Sequence, residues 1–166
     1  PFIATLGAMG IVRGAGFILT EGRYFDVSSV VAQGWRPLGI PLEWWPPAVM
    51  IVLALLFQLA MHRLQWGRAV YAVGGNETAA LFSGISLARI KTSVYLISAT
   101  LAAVSGVVLA LVQGQGKADL AMGYELDIIA SAVVGGASLS GGRGSVVGAV
   151  LGALIFGVLR NALAQI

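Results

Sequence analysis

The fold is decided by the run LARIKTSVYLISATLAAVSGVVLALV at residues 87–112, which is almost wholly apolar after Lys91. A helix of this length is long enough to cross the roughly 30 Å hydrocarbon core of a lipid bilayer, with some tilt. A transmembrane β-barrel would instead show short segments in which apolar and polar residues alternate. The run therefore predicts a transmembrane α-helix.

Other apolar segments on both sides of this run indicate a helical bundle. They cover residues 1–20, 48–64 and 145–159, with a shorter stretch at residues 128–134. Charged residues make up only 10% of the chain, against about 25% in soluble domains. We therefore expect an all-α polytopic membrane bundle with four or five membrane segments. Because the chain starts without Met and directly in an apolar run, we interpret residues 1–166 as a fragment of a longer membrane domain.

The charges of the loops predict which side of the membrane each loop faces. The loop at residues 65–86 holds or adjoins four basic residues and a single acid, whereas the loop at residues 21–47 has three acids and two bases. The stretch at residues 113–127 has one lysine and three acids. Since basic loops stay in the cytoplasm, we expect residues 65–86 inside and the other two loops outside.

Residues 124–144 allow two interpretations. Their apolar part is too short for a clear crossing, and the glycines at both ends indicate a broken half-helix, which needs protein or a water-filled cavity around it. In the re-entrant interpretation, which we favour, the stretch returns to the side from which it came and Arg160 ends in the cytoplasm. A plain crossing puts Arg143 in the cytoplasm instead.

Residues 74–86 predict a short, well-terminated cytoplasmic helix. Asn76 is a favourable N-cap, Glu77 suits the positive end of the helix dipole, and Gly84 suits the position just past the C-terminus. A helix of about seven residues is not stable alone in water and must pack on something. Its apolar surface is supplied by three side chains, Leu81, Phe82 and Ile85. Either it lies on the bilayer, or it docks on the rest of the membrane domain or in a groove of a separate cytoplasmic subunit.

Composition excludes several kinds of chemistry. The chain has no cysteine and one histidine, His62, which excludes thiolate sites and most zinc or haem sites. The glycine-rich turn at residues 140–145 lacks the lysine of the phosphate-binding loop Gly-x-x-x-x-Gly-Lys-Ser/Thr. No catalytic constellation is present either. We therefore expect a protein that is not an enzyme and that holds no metal or cofactor of its own, and we expect no nucleic-acid partner.

Four motifs, in one order, resemble the permease subunits of ribose-type sugar ABC importers, a binding-protein-dependent transport family. The first is the helix at residues 1–22, and the second is PLGIP at residues 37–41. The third begins Gly-Arg-Ala-Val-Tyr at Gly67 and continues as AVGGNE to Glu77, followed by Ala-Ala and Ser-Gly-Ile. The fourth joins GYELDIIA to VGGASLSGGRG within residues 123–144. The resemblance covers nearly the whole chain, but it does not specify a particular sugar.

The resemblance implies a multi-pass permease in the bacterial inner membrane that carries a monosaccharide of the ribose, xylose or galactose class. Two permease copies would pair as a homodimer, ATPase subunits would bind and hydrolyse ATP, and a periplasmic sugar-binding protein would deliver the cargo. The short cytoplasmic helix would be the coupling helix that contacts the ATPase. Its residues are Asn76, Glu77, Ala80, Leu81, Phe82 and Gly84. The family pattern also implies further membrane helices before Pro1 and after Ile166.

Further residues are candidates for the translocation path or for helix packing. Arg13 lies within an apolar segment, where a charge costs roughly 3 kcal/mol and usually faces the protein interior; it either lies near the path or makes a structural pair. Glu125 and Asp127 either accept hydrogen bonds from sugar hydroxyls or serve only as acids at a helix start. Two Gly-x-x-x-Gly pairs predict close helix packing. They are Gly10 with Gly14, and Gly148 with Gly152.

Three alternatives to sugar transport remain open at this point. The glycine-rich region is related to that of permeases for branched-chain amino acids. An integral membrane enzyme is a second alternative, although the scattered acids and lone histidine do not form a catalytic group. A purely structural helical bundle is the third, and it leaves the capped cytoplasmic helix unexplained.

Overall fold

The computed structural model of the chain describes residues 2–27, 41, 44–163 and 165, so that Pro41 is the one described residue of the PLGIP motif. It is almost entirely helical. The helices are α1 (Phe2–Thr20), α2 (Trp45–Arg63), α3 (Gln65–Gly75), α4 (Glu77–Phe82), α5 (Leu87–Gln113), α6 (Tyr124–Val134) and α7 (Val146–Leu163). Two short strands, β1 (Phe25–Asp26) and β2 (Gln115–Gly116), pair antiparallel. The expected all-α membrane fold is confirmed.

Among the residues that the structure describes, three helices are long and apolar enough to cross a membrane. They are α2, α5 and α7, while α1 contributes a shorter apolar helix over Gly7–Thr20. The 27 residues of α5 extend about 40 Å at 1.5 Å per residue, which exceeds the hydrocarbon thickness. Pro46 and Pro47 lie in the first turn of α2, where a missing backbone N–H costs nothing.

The chain divides into two compact units, of which the first comprises Pro1–Pro46 and Ala102–Met122. In this unit the segment that follows α1 pairs with the segment that follows α5. Phe25 is the partner of Gly116 in the β1–β2 ladder, and the backbone N–H of Val27 donates to the carbonyl of Gly114 at 2.9 Å. The C-terminal ends of α1 and α5 therefore lie together, so the two loops that we expect outside begin at the same end of this unit.

The second unit comprises Pro47–Leu101 and Gly123–Ile166. Here α2 turns sharply into α3 at Leu64, and Gly67 packs directly on the backbone of Met61. A Cβ on Gly67 would lie 2.5 Å from Met61 Cα, so this turn requires a residue without a side chain. The α3 helix is tied to α5 by a hydrogen bond of 2.8 Å from Trp66 Nε1 to Ser93 Oγ.

Helices α6 and α7 form an antiparallel hairpin within the second unit. Gly135, at the end of α6, lies against Gly148 in the first turn of α7. Asp127, near the start of α6, pairs with Arg160, near the end of α7. The connection at residues 135–145 contains four glycines with positive φ, a region that other residues rarely adopt. They are Gly136, Gly141, Gly142 and Gly144.

The position of this connection corrects one sequence-based interpretation. Tyr71 of α3 donates a hydrogen bond to the carbonyl of Gly144 at 2.8 Å, so the connection lies beside α3. The re-entrant interpretation places residues 135–144 on the side of the membrane opposite to α3. It is therefore wrong. Helix α6 runs toward the side of α3, and α7 runs away from it with Arg160 at its far end. With 11 residues, or about 16 Å, α6 is nevertheless too short to cross a bilayer alone.

Candidate functional site

The short helix α4 is terminated at both ends as the sequence predicts. Asn76 has an extended backbone, and its side-chain Oδ1 accepts a hydrogen bond of 3.0 Å from the backbone N–H of Ala79. Such a cap satisfies one of the otherwise unpaired donors in the first turn. At the other end, Gly84 has a φ of +81°, and the N–H of Ile85 closes the turn on the carbonyl of Ala80. The six-residue helix is therefore defined by its own sequence.

The surface of α4 has one buried and one exposed face. Ala80 is only 3% exposed, whereas Leu81 is 56% exposed and Phe82 is 86% exposed. Exposing a large aromatic side chain to this degree forgoes the roughly 1.5–3 kcal/mol that its burial would contribute. Leu81 and Phe82 therefore point away from the protein, while the opposite face of α4 packs on it through Ala80.

An ion pair joins the start of α4 to α5. Lys91 Nζ lies 2.7 Å from Glu77 Oε2, and both side chains are about half exposed. A pair of this kind adds at most about 1 kcal/mol, because water and salt screen it. The pair therefore contributes little to the stability of α4.

A second anchor connects α3 to the turn between α6 and α7, and we call it the glycine junction. It consists of Tyr71 and Gly74 on α3 with Gly142 and Gly144 in the turn. A Cβ added to Gly74 would lie 2.6 Å from the backbone nitrogen of Gly142, and a Cβ added to Gly142 would lie 2.6 Å from Gly75 Cα. With the Tyr71 hydrogen bond, the junction ties the helix that precedes α4 to the α6–α7 hairpin.

The packing glycines predicted from the sequence have different surroundings in the structure. A Cβ on Gly148 would overlap the carbonyl oxygen of Gly135, and a Cβ on Gly152 would overlap that of Ser131. These glycines therefore let α7 lie directly on the backbone of α6. For Gly10 and Gly14 on α1, no described atom lies within 4 Å of such a Cβ, apart from the helix's own backbone and chain neighbours.

The charged candidates occupy separate places. Arg13 is half-buried on α1, in the first unit, and Glu125 and Asp127 are half-buried in the first turn of α6, in the second unit. Asp127 Oδ2 accepts a hydrogen bond of 2.8 Å from Arg160 Nη1. Sequence analysis did not select Arg160 as a site residue, although a basic residue in the last turn of an apolar helix is a visible signal.

These features define a class of protein. Three of the described helices are long and apolar enough to cross a membrane. An outward-facing apolar pair lies on a capped short helix, and the glycine junction joins the α6–α7 hairpin to α3, the helix that precedes the short one. Within the described part of the chain, no group of three or more His, Cys, Asp or Glu residues is placed to hold a metal ion. These are the features of a polytopic α-helical membrane protein.

Comparison with known proteins identifies the family. The chain matches, over residues 1–166, the family described as the permease component of the branched-chain amino acid transport system, and it belongs to that permease family. It is 41% identical to the probable ABC transporter permease protein YphD of Escherichia coli K12, over 98% of this chain and 49% of that protein. It is 40% identical to the ribose import permease protein RbsC of Bacillus subtilis, over 98% of this chain and 51% of that protein.

A third relative extends the range of named sugars. The chain is 34% identical to the L-arabinose transport system permease protein AraH of Escherichia coli K12, over 97% of this chain and 49% of that protein. The chain spans about half the length of the curated relatives it matches. No solved structure matches it significantly. The resemblance to ribose-type ABC permeases is confirmed, and the permease names agree with a transport role.

Proposed function

We propose that this chain is part of the permease of an ATP-binding-cassette importer that carries a monosaccharide across the bacterial inner membrane. The family description names amino acid transport, but two of the three relatives described above are named for ribose and L-arabinose. Each of these alignments covers nearly all of this chain, so they support sugar over a branched-chain amino acid as the cargo. The pairing of two permease copies and delivery by a periplasmic sugar-binding protein are part of the same proposal.

The observation that carries the coupling role is the exposure of Leu81 and Phe82 on a helix whose opposite side, at Ala80, is buried. In this proposal α4 inserts these two side chains into a groove of a cytoplasmic ATPase subunit. ATP hydrolysis takes place on that subunit, since this chain has no phosphate-binding loop. A rigid, capped helix suits this task because it can transmit a displacement without unfolding.

A displacement of α4 is passed to the membrane helices through the glycine junction. Movement of α4 acts on α3 through Asn76, which caps one helix and ends the other. From α3, the contact of Gly74 with Gly142 and the Tyr71 hydrogen bond carry the movement to the α6–α7 hairpin. Close-packed backbones move together because there is no side chain between them to adjust. The hairpin is thus the part of the second unit that follows α4.

Cysteine crosslinking tests the coupling role directly. The chain contains no cysteine, so single cysteines can be placed at Leu81 and Phe82 and treated with a short bifunctional reagent in membranes that contain the ATPase subunit. Both are expected to crosslink to the ATPase, with yields that change between nucleotide-free and ATP-bound states. A cysteine at buried Ala80 is the matched control and is expected not to react. If neither exposed position crosslinks in any nucleotide state, the docking proposal is wrong.

Uptake measurements test the cargo separately. Vesicles that contain the complete permease, its ATPase and its binding protein are expected to accumulate D-ribose or L-arabinose in an ATP-dependent manner. Accumulation of L-leucine without either sugar would reverse the assignment in favour of the amino acid alternative. Because crosslinking does not depend on the cargo, the two parts of the proposal fail independently.

A further inference from the structure

A small cavity lies in the α6–α7 hairpin, at the end opposite to the glycine junction. Its volume is about 360 Å³, near the lower limit of the roughly 300–1,000 Å³ that small-molecule sites occupy. Side chains of both helices line it, and five matter for its chemistry: Tyr124, Asp127 and Ser131 from α6, with Phe156 and Arg160 from α7. We call it the Asp127–Arg160 cavity.

The cavity is formed where the first turn of α6, which carries Asp127, meets the last turn of α7, which carries Arg160. Arg160 follows Val146, the first residue of α7, by 14 positions, which corresponds to about 21 Å along the helix axis. The side chain of Arg160 is 61% exposed and that of Asp127 is 41% exposed, so a ligand can reach both.

Asp127 and Arg160 each have polar atoms that the ion pair does not use. In the described part of the chain, Asp127 engages Arg160 through Oδ2 and Nη1 at 2.8 Å, which leaves Oδ1 and further guanidinium N–H groups for a ligand. The guanidinium carbon also lies 5.0 Å from the centre of the Tyr124 ring, within the range of a cation–π contact. The ring thus holds Arg160 in place beside the carboxylate.

This arrangement suits a neutral ligand with several hydroxyl groups. A hydroxyl can donate to Asp127 Oδ1 and accept from Arg160 at the same time, while the apolar ring of Phe156 provides a surface for C–H groups. The two charges neutralise each other, so a neutral ligand does not disturb them. A zwitterionic amino acid would compete with the internal ion pair for both partners.

The larger cavity of the second unit has different walls. It measures about 730 Å³ and is bounded mainly by apolar side chains of α2, α3 and α7, such as Met50, Phe57 and Val150. Its polar lining is confined to the glycine-turn end, with Tyr71, Arg143 and Ser145, and elsewhere a polyhydroxylated molecule would lose its hydrogen bonds to water without replacement. The chemistry of the two cavities therefore favours the smaller one for a polar ligand.

We propose that the Asp127–Arg160 cavity holds a monosaccharide during its passage, with Asp127 and Arg160 as its hydroxyl-binding residues. This rests on the proposed sugar import function and deepens it, since it names the residues that contact the cargo within the membrane domain. Helix α6 ends at the glycine turn that joins α3, so the same helix connects the cargo site to the coupling helix.

The test compares a sugar with its deoxy analogues in two permease variants. Vesicles with the complete importer take up D-ribose and each of its monodeoxy forms, or L-arabinose and its monodeoxy forms if that sugar is the better substrate. Asp127→Asn is expected to lower uptake of the parent sugar about tenfold, as for loss of a hydrogen bond to a charged group. For at least one deoxy form the loss is expected to be much smaller, because the hydroxyl that binds Asp127 is already missing.

Controls separate this result from a structural role. The binding protein is the same throughout, so its own preference among the sugars cancels in the comparison. Asp119→Asn, which removes an acid paired with Lys117 at 3.0 Å outside the cavity, is expected to change uptake of all forms less than twofold. Arg160→Lys, which keeps the charge but loses the guanidinium fork, is the second variant in case Asp127→Asn does not fold.

The outcomes are distinguishable. If Asp127→Asn, and Arg160→Lys in its place where needed, lowers uptake of every sugar form by the same factor, the ion pair is structural and the cavity proposal is wrong. Unchanged uptake overturns it as well. If the unmodified importer takes up no sugar at all, the proposed function fails first, and the site assignment falls with it.

Discussion

Gly74 of α3 and Gly142 of the turn before α7 lie backbone against backbone, 68 positions apart in the chain. A methyl group on Gly74 would lie 2.6 Å from the Gly142 backbone nitrogen and 3.2 Å from its Cα. Neither neighbour is a flexible side chain that can move aside. The contact is therefore possible only with glycine, and it joins the helix that carries α4 to the α6–α7 hairpin.

Gly74→Ala is expected to destabilise the second unit by about 1–3 kcal/mol, the usual cost of inserting a methyl group into close packing. Thermal unfolding of the detergent-solubilised permease measures this as a lower Tm. Gly75→Ala is the matched control, because outside its own helix backbone and chain neighbours no described atom lies within 4 Å of a Cβ there, and alanine is the better helix former by about 0.5–1 kcal/mol. Equal Tm values for the two variants would contradict the close contact.

Tyr71→Phe is expected to weaken the glycine junction without changing its shape. The substitution removes the hydroxyl that donates to the Gly144 carbonyl at 2.8 Å, and such a bond contributes about 1 kcal/mol net. Hydrogen exchange of the backbone amides at residues 141–146 is expected to become faster. Tyr95→Phe, at a tyrosine that is exposed on α5, is the control and is expected to leave exchange unchanged. No difference between the two would show that the hydrogen bond does not hold the turn.

Gly152→Ala is expected to separate α6 from α7. The added methyl group would overlap the Ser131 carbonyl oxygen and would lie 2.8 Å from the Gly135 nitrogen. We expect a loss of about 1–3 kcal/mol, measured by thermal unfolding. Gly157→Ala lies five residues further along the same helix, where no described atom beyond that helix's own backbone is within 4 Å of a Cβ, and is expected to be neutral or stabilising. A stable Gly152→Ala variant would be inconsistent with the hairpin packing.

Asn76→Ala is expected to loosen α4 while leaving the membrane helices intact. Its side chain is the only group that caps the first turn in the described structure, through the 3.0 Å bond to Ala79, and loss of such a cap costs about 1 kcal/mol. The crosslinking yield of a cysteine at Phe82 is expected to fall, whereas the Tm of the permease is not. Asn76→Ser can still cap and is expected to retain the yield. The cap has no coupling role if alanine and serine behave alike.

Lys91→Gln is expected to have little effect on stability, in contrast to the variants above. The ion pair with Glu77 is short, at 2.7 Å, but both side chains are about half exposed, and screened pairs of this kind contribute about 1 kcal/mol or less. Thermal unfolding at low and high salt measures the difference. A loss of several kcal/mol would mean that the pair lies in a drier environment than the structure indicates.

The capped helix α4 shows what local sequence can predict. Its N-cap, first-turn acid and terminal glycine lie within nine residues, and each acts on the backbone of its own turn. The long apolar runs are predictable for the same reason, since their length and lack of charge decide by themselves that they lie in a membrane.

The two Gly-x-x-x-Gly pairs show what local sequence does not predict. Gly148 and Gly152 lie on the α6 backbone, whereas Gly10 and Gly14 have no described atom within 4 Å of an added Cβ. The motif is the same in both pairs. It indicates that another segment can pack closely against the helix, but not which segment does so. Gly74 and Tyr71 were not selected from the sequence for the same reason.

Charge patterns do not decide on which side of the membrane the glycine-rich turn lies. One interpretation puts Arg160 in the cytoplasm and the other puts Arg143 there, so the positive-inside rule gives equal support to both. The Tyr71 hydrogen bond to Gly144 decides between them, and it joins residues that are far apart in the chain.

The sequence by itself determined that the chain is a helical membrane protein, where its long apolar helices lie, and that one further helix is short, capped and apolar on its surface. Those properties depend on hydrophobicity and on hydrogen bonds between near neighbours. The sequence did not predict α3, Gln65–Gly75, which lies within the predicted loop at residues 65–86. The tertiary structure alone decided that α3 joins the α6–α7 hairpin and that Asp127 faces Arg160. Contacts of this kind depend on how helices pack across long stretches of chain, and no local pattern specifies which glycine meets which.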